Sequence, residues 1–233
     1  MKRYPDAIRI LVAIDCIIMG FDGTAIKLLL IKRNFEPEKG NWSLMGGFLH
    51  QNEDLEAGAE RILFDLTGLN NIFVEHITTA GKIDRDPVER TISVVFFALI
   101  NINNQDQEAL NAHNAQWLSL EEKPELIFDH DEMVTKAIEY LRYKAALHPL
   151  GFELLPEKFT IPQLQKLYEA IYDMNLDRRN FSRKILSTGL LVDTGEKYEQ
   201  SATKKATLYQ LNQDRYKDKF FAFWHFMPHP GID

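Results

Sequence analysis

Gly47-Phe-Leu-His-Gln-Asn-Glu53, then seven residues, then Arg61-Ile-Leu-Phe-Asp-Leu-Thr-Gly-Leu69 is the stretch that decides the fold. Within it, Asp54 to Thr67 sets Leu55, Ala59, Ile62, Leu63 and Leu66 on one helical stripe. Gly68 follows where a left-handed C-cap is expected. Gly58 inside that helix costs about 1 kcal/mol against alanine, so it marks a place where another element packs close.

Outward from this segment the chain reads as sheet. Upstream, Ile8, Ile10, Val12, Ile14, Cys16 and Ile18 recur with a period of two. Phe21-Asp-Gly-Thr24 supplies a turn, and Ala25 to Lys32 returns as a second strand. Downstream, Ile72 to Thr78 and Thr91 to Ile100 are further strands, and Asp129 or Asp131 caps a helix running to about Ala146. His148-Pro-Leu-Gly151 breaks the pattern. It divides the chain into domains of residues 1–148 and 149–233. Beyond it, Thr160 caps a helix carrying Leu164, Leu167, Tyr168 and Ile171, and Asp177 caps a shorter one closed by Gly189. Leu190–Val192 and Leu208–Leu211 are short strands flanking a polar loop that holds Lys197, Lys204 and Lys205.

Composition excludes disorder: 45% of the 233 residues are hydrophobic and 26% charged, as in ordinary soluble domains. The apolar run after Met1-Lys-Arg3 is interrupted by Arg9 and Asp15, so it is not a signal peptide. No stretch approaches a membrane helix. The single cysteine, Cys16, has no partner for a disulfide, and a cytoplasmic protein is expected. The net charge of −7 is unevenly spread: residues 1–147 carry 15 Lys and Arg against 23 Asp and Glu, whereas residues 148–233 carry 12 against 11. Because nucleic-acid binding depends on local basic surface rather than the chain total, the second half remains a candidate.

Its second helix shows where such a surface lies. In Asp177-Arg-Arg-Asn-Phe-Ser-Arg-Lys-Ile-Leu186, Phe181 and Ile185 share an inward face. Arg179 and Arg183 lie opposite, with Asn180 and Lys184 in the neighbouring row and Arg178 ahead of them. Arginine reads guanine bidentately, asparagine reads adenine, and lysine meets phosphate. Two helices, a short Asp173-Met-Asn175 turn and a lysine-bearing loop after them have the layout of a winged helix, whose second helix enters the major groove of double-stranded DNA.

The opening stretch resembles the box of the Nudix family: glycine, five residues, glutamate, seven residues, then Arg-Glu-aliphatic-x-Glu-Glu-x-Gly-aliphatic. Gly47, Glu53, Arg61, Leu63, Gly68 and Leu69 are in register, and Trp42-Ser-Leu-Met-Gly-Gly-Phe48 is similar to the usual lead-in. The resemblance implies an α+β fold, a Nudix domain with a mixed sheet and box helix, followed by a winged helix-turn-helix. It implies that Glu53 and Arg61 pair to shape the loop before the helix. The positions that hold divalent cations in Nudix hydrolases are Ile62, Asp65 and Leu66 here. One shorter carboxylate of three remains, and neither metal binding nor a cofactor is expected.

Taken with Phe159-Thr-Ile-Pro-Gln-Leu-Gln-Lys-Leu-Tyr-Glu-Ala-Ile171 and Asp177-Arg-Arg-Asn-Phe181, nearly the whole chain resembles the Nudix-related transcriptional regulators of the NrtR type. That resemblance implies a homodimer on a palindromic operator, released when the Nudix domain binds a small effector, ADP-ribose in some members and a pentose such as arabinose in others. Loss of the cation site tilts the expectation toward a pentose, because a diphosphate would lack its neutralising metal. Asp15, Arg33, Trp42 and Asp65 are the candidate effector contacts, chosen because the fold sets equivalent strands and the box around its cleft. Two rivals stand beside this reading: a Nudix hydrolase using ligands from elsewhere, such as Glu75 or Glu89, and an adaptor whose winged helix binds protein. The aromatic Phe220–Phe226 run is expected to pack or to lie at a subunit interface, with His225 and His229 as ordinary residues.

Overall fold

The computed structural model describes residues 8–102, 107–147, 154–201, 204–212 and 215. The His148–Gly151 break, the Phe220–Phe226 run, His225 and His229 therefore lie outside the described residues.

The box segment folds into a loop and helix α1 (Leu55–Thr67). Asp54 occupies the N-cap, and Gly68 ends the helix in the left-handed region at φ 75°, donating its N–H to Phe64 O. The buried stripe is Gly58, Ala59, Ile62, Leu63 and Thr67. It is displaced from the expected one: Leu55 and Leu66 are only half-buried, and Thr67 is fully buried. Thr67 is tolerated there because its hydroxyl donates to Leu63 O at 2.6 Å and accepts from Leu69 N at 3.1 Å. Close packing at Gly58 is as the sequence implied. A Cβ there would lie 2.7 Å from Ile14 Cδ1 and 2.9 Å from Leu49 Cδ1.

Seven strands form one sheet: β1 (Leu11–Phe21), β2 (Ile26–Lys32), β3 (Trp42–Ser43), β4 (Met45–Phe48), β5 (Glu75–Ala80), β6 (Thr91–Asn101) and β7 (Ala115–Ser119). The order is β3-β2-β1-β6-β5, with β4 antiparallel to β1 and β7 paired to β2. The alternation that suggested a strand from Ile8 is not what sets β1, which starts at Leu11 and is buried on both faces from Ala13 to Phe21. Continuous burial accommodates an apolar run without alternation. The strand expected at Ile72–Thr78 begins later, at Glu75, and carries a bulge between His76 and Thr78. Helix α2 (Gln107–Ala112) was not foreseen, and α3 (His130–Leu147) starts right after Asp129.

The second half holds α4 (Ile161–Tyr172), α5 (Arg178–Ser187) and a hairpin of β8 (Leu191–Ser201) and β9 (Lys204–Leu211). Thr160 begins α4 with a full capping box: its hydroxyl accepts from Gln163 N, and the Gln163 side chain accepts from Thr160 N. Leu164, Leu167, Tyr168, Ile171, Phe181, Ile185 and Leu190 are buried, with the Tyr168 and Phe181 rings edge-to-face at 5.8 Å. Phe159 exchanges two backbone hydrogen bonds with Tyr209. The expected short strands and polar loop are corrected here: Lys197 and Lys205 lie on the strands of a long hairpin, and Lys204 opens β9. β8 is mostly exposed and β9 half-buried, and neither has a fully buried face to impose an alternation of apolar residues, so the sequence looks like a loop.

The chain falls into two compact units, and no single cut separates them. One is built on most of the sheet. The other takes in Gly20–Lys27, the segment from Leu99 and the chain from Ile138 onward.

Candidate functional site

Helix α5 is made by its ends and its two buried residues. Asp177 Oδ1 accepts from Asn180 N at 2.8 Å, capping the first turn. The turn before it is clamped by side chains: Glu169 Oε1 accepts from Leu176 N at 3.0 Å, and Gln165 Nε2 donates to Leu176 O at 2.8 Å. Phe181 and Ile185 anchor the helix. Arg178, Arg179, Asn180, Arg183 and Lys184 are all exposed. Arg183 Nη2 donates to Asn180 Oδ1 at 2.8 Å, so these two act as a pair across one turn. In the hairpin, Lys197 is exposed and donates to Thr207 Oγ1 at 2.7 Å; Lys205 is exposed too, and the Lys204 side chain lies outside the described residues.

In the box, Glu53 and Arg61 form the expected pair. Arg61 donates from Nε to Glu53 Oε2 at 2.9 Å and from Nη2 to Oε1 at 2.6 Å, and Glu53 also accepts from His50 N. These bonds, chiefly those from Arg61, bring the Glu53 carboxyl down to about 2. Ile62 is buried, Leu66 half-buried, and Asp65 is exposed with Arg61 Nη1 at 3.7 Å. Among the described residues no group of three or more His, Cys, Asp or Glu is placed to hold a metal ion. The residues at the box positions do not fit a divalent cation, whose hard charge needs several oxygen ligands.

The polar centre of the domain lies on other elements. Asp15, inside β1, is 4% exposed. A solitary carboxylate at that depth would cost several kcal/mol, and partners surround this one. Ser93 Oγ on β6 donates to its Oδ2 at 2.6 Å, and Arg85 Nη2 approaches the same oxygen at 3.4 Å. The Arg85 side chain, 3% exposed, also donates to Asp129 from Nε at 3.0 Å and from Nη2 at 2.8 Å. His130, the first residue of α3, brings Nε2 to 3.5 Å from Asp15 Oδ1. Its Nδ1 accepts from Leu44 N at 3.2 Å, which fixes the ring proton on Nε2, facing Asp15. Burial depresses the His130 pKa below its ordinary value, outweighing the pull of Asp15 and Asp129 in the other direction. A Cβ on Gly46 would overlap Asp15 Oδ1, so the carboxylate depends on glycine at its paired strand position.

Two family models match the chain: a NUDIX domain over residues 9–137 and the NrtR DNA-binding winged helix domain over residues 151–211. The ADPR-responsive transcriptional repressor NtrR of Acinetobacter baylyi is 32% identical over 214 residues, covering 90% of this chain and 85% of that relative. The chain belongs to the NrtR family. Among solved structures, Shewanella oneidensis NrtR complexed with a 27mer DNA superposes with a TM-score of 0.71 at 28% identity, covering 88% of this chain and 95% of the other. The NUDIX domain of the same Shewanella protein, complexed with ADP ribose, matches with a TM-score of 0.53 at 28% identity over 60% of this chain and 94% of the other. The chain thus has the α+β architecture of NrtR proteins, a Nudix domain and a winged helix, and is a DNA-binding transcriptional regulator of that type.

Of the four effector contacts expected for this NrtR-family chain, Asp15 lies at the centre of this cluster. Arg33 is half-buried, donates from Nε to Pro37 O at 2.8 Å and lies 4.1 Å above the Phe35 ring. Burial lowers its pKa, while Asp15, Glu38, Asp86 and Glu36 act against that shift. Trp42 is half-buried, and its carbonyl accepts from Ile127 N at 3.1 Å, beside the segment that leads into α3. Asp65 stands apart on α1 and pairs with Arg61. Sequence reasoning did not single out Ser93, Arg85 or His130, and it took Asp129 only as a helix cap. The one available signal was a carboxylate inside an apolar strand, which demands a buried partner.

Proposed function

We propose that this chain represses transcription as a homodimer on a palindromic operator and lets go when its Nudix domain takes up a small sugar. The observation that carries the reading is the exposed Arg178-Arg179-Asn180 and Arg183-Lys184 face on a helix anchored by Phe181 and Ile185. One such helix makes few base contacts, so two copies related by a two-fold axis supply the discrimination that one lacks. Lys197, Lys204 and Lys205 serve the phosphate backbone from the hairpin, and the protein acts in the cytoplasm. Hydrolysis is no part of this function, because Ile62 and Leu66 replace two cation-binding carboxylates and Asp65 is engaged by Arg61.

A pentose such as arabinose suits a Nudix domain without a cation site, since it needs hydrogen bonds and no charge neutralisation. ADP-ribose is the second reading, favoured by what the Acinetobacter relative is named for and by the ligand in the Shewanella domain. Fluorescence anisotropy on operator duplex, with L-arabinose or ADP-ribose added, tests both. The proposal expects the pentose to weaken operator binding and leave binding to scrambled DNA unchanged. Release by ADP-ribose alone would replace the effector and keep the repressor; release by neither would remove the regulation.

A further inference from the structure

Two exposed polar side chains of α5 are bonded to each other: Arg183 Nη2 donates to Asn180 Oδ1 at 2.8 Å. Arginine only donates, so this bond orients the Asn180 amide, oxygen toward Arg183 and Nδ2 away from it. Asn180 stands on a fixed base. Its N–H is capped by Asp177, and the turn before it is held at Leu176 by Glu169 and Gln165. Arg183 lies one turn further on, opposite the buried Phe181 and Ile185. Neither its Nε nor its Nη1 is bonded to the described residues.

The bond changes what the two residues offer a base. A free asparagine reads adenine by accepting from N6 and donating to N7. Here the accepting atom is engaged by a cation, and donors alone remain: the outer edge of the guanidinium and Asn180 Nδ2. In the major groove only guanine sets two acceptors, O6 and N7, side by side. Adenine offers one acceptor beside a donor, thymine one acceptor beside a methyl group, and cytosine a donor.

We propose that Asn180 is a positioning residue that braces Arg183 as a preformed donor fork, so that each operator half-site carries a guanine opposite Arg183 and no adenine read by Asn180. This rests on the reading of α5 as the operator-binding helix. The N-terminal residues of such a helix reach base edges, and both members of the pair lie within its first two turns. Holding the guanidinium before contact reduces the side-chain freedom lost on binding. It also fixes the plane in which two parallel N–H groups meet the base, which a freely turning arginine does not.

The test starts from the duplex that the full-length protein selects from a random library, assayed by anisotropy with each of the four bases in turn at every half-site position. Wild type should prefer guanine at one position by about 5- to 150-fold. Arg183→Ala should abolish that preference. Asn180→Ala should lower it by about threefold or more, the low end of coupling between residues in contact, and the double variant should match Arg183→Ala alone. Asn180→Asp keeps an accepting oxygen and should restore the preference, even where its added charge weakens binding to every duplex. Both side chains are exposed, so all variants should melt like wild type. An adenine preference lost in Asn180→Ala and kept in Arg183→Ala would mean that Asn180 reads the base itself. That result, a guanine preference untouched by Asn180→Ala, or one that Asn180→Asp fails to restore would overturn the inference and leave the repressor standing. A wild-type protein that enriches no sequence would count against α5 as the reader, and the inference would fall with it.

Discussion

Replacing Arg179 or Arg183 by alanine separates base reading from every other role of α5. Both are exposed, and neither belongs to the Phe181–Ile185 face. The only bond lost within the helix is Arg183 Nη2 to Asn180 Oδ1, between two wet groups, and alanine is the better helix former. Fold stability should therefore move by less than about 0.5 kcal/mol. A bidentate arginine–guanine contact discriminates by about 1–3 kcal/mol. Each variant should then weaken operator binding by about 5- to 150-fold per half-site, and by the square of that factor for a dimer using both. Scrambled duplex should be much less affected. Lys197→Ala, on the hairpin, should weaken all sequences alike and lower the salt slope by about one unit. Anisotropy on operator and scrambled duplexes at several salt concentrations reads all of this, with circular dichroism as the check on folding. If both arginine variants hold the operator as tightly as wild type, α5 is not the reader.

Other consequences concern the site and the scaffold. With Mg²⁺ or Mn²⁺ the protein should not turn over ADP-ribose or sugar nucleotides; turnover abolished by Asp65→Asn would show that one carboxylate suffices. Thr160→Ala removes the hydroxyl that accepts from Gln163 N and should cost about 1 kcal/mol in urea unfolding; no change would mean the capping box contributes nothing to α4. His130 is held below its ordinary pKa by burial, so the unfolded chain takes up the proton first as pH falls. Its contribution to stability is complete above about pH 6.5 and is lost as pH falls from there toward the folded-state value, by at most about 1.4 kcal/mol per pH unit. His130→Asn should flatten the melting temperature between pH 7 and 5, and an unchanged profile would exclude this histidine as its source.

What was legible in the sequence was what is local. The spacing from Gly47 to Leu69, the Gly68 cap, the Thr160 and Asp177 caps and the Phe181–Ile185 face all depend on residues within a few turns of one another. The hairpin reads as a loop because its strands are only exposed or half-buried, and no fully buried face imposes a pattern on them. The polar cluster was illegible for a different reason. Arg85 and Asp15 are 70 residues apart, Ser93 and Asp15 78, and Asp129 lies 44 beyond Arg85. No periodicity links them, and only the sheet brings β1, β6 and the start of α3 together. Analogy with the fold points to both Asp15 and Asp65; the first sits in the buried cluster, and the second is exposed beside Arg61.

Selection of bound duplexes from a random library by the full-length protein tests the central claim most directly. The account predicts enrichment of a two-fold symmetric sequence whose half-sites lie one helical turn or a multiple apart. It predicts that Arg179→Ala and Arg183→Ala lose that enrichment, and that effector releases the selected duplex. A wild-type protein that enriches no sequence, or binds DNA as a monomer with no symmetry in the selected sites, would contradict it.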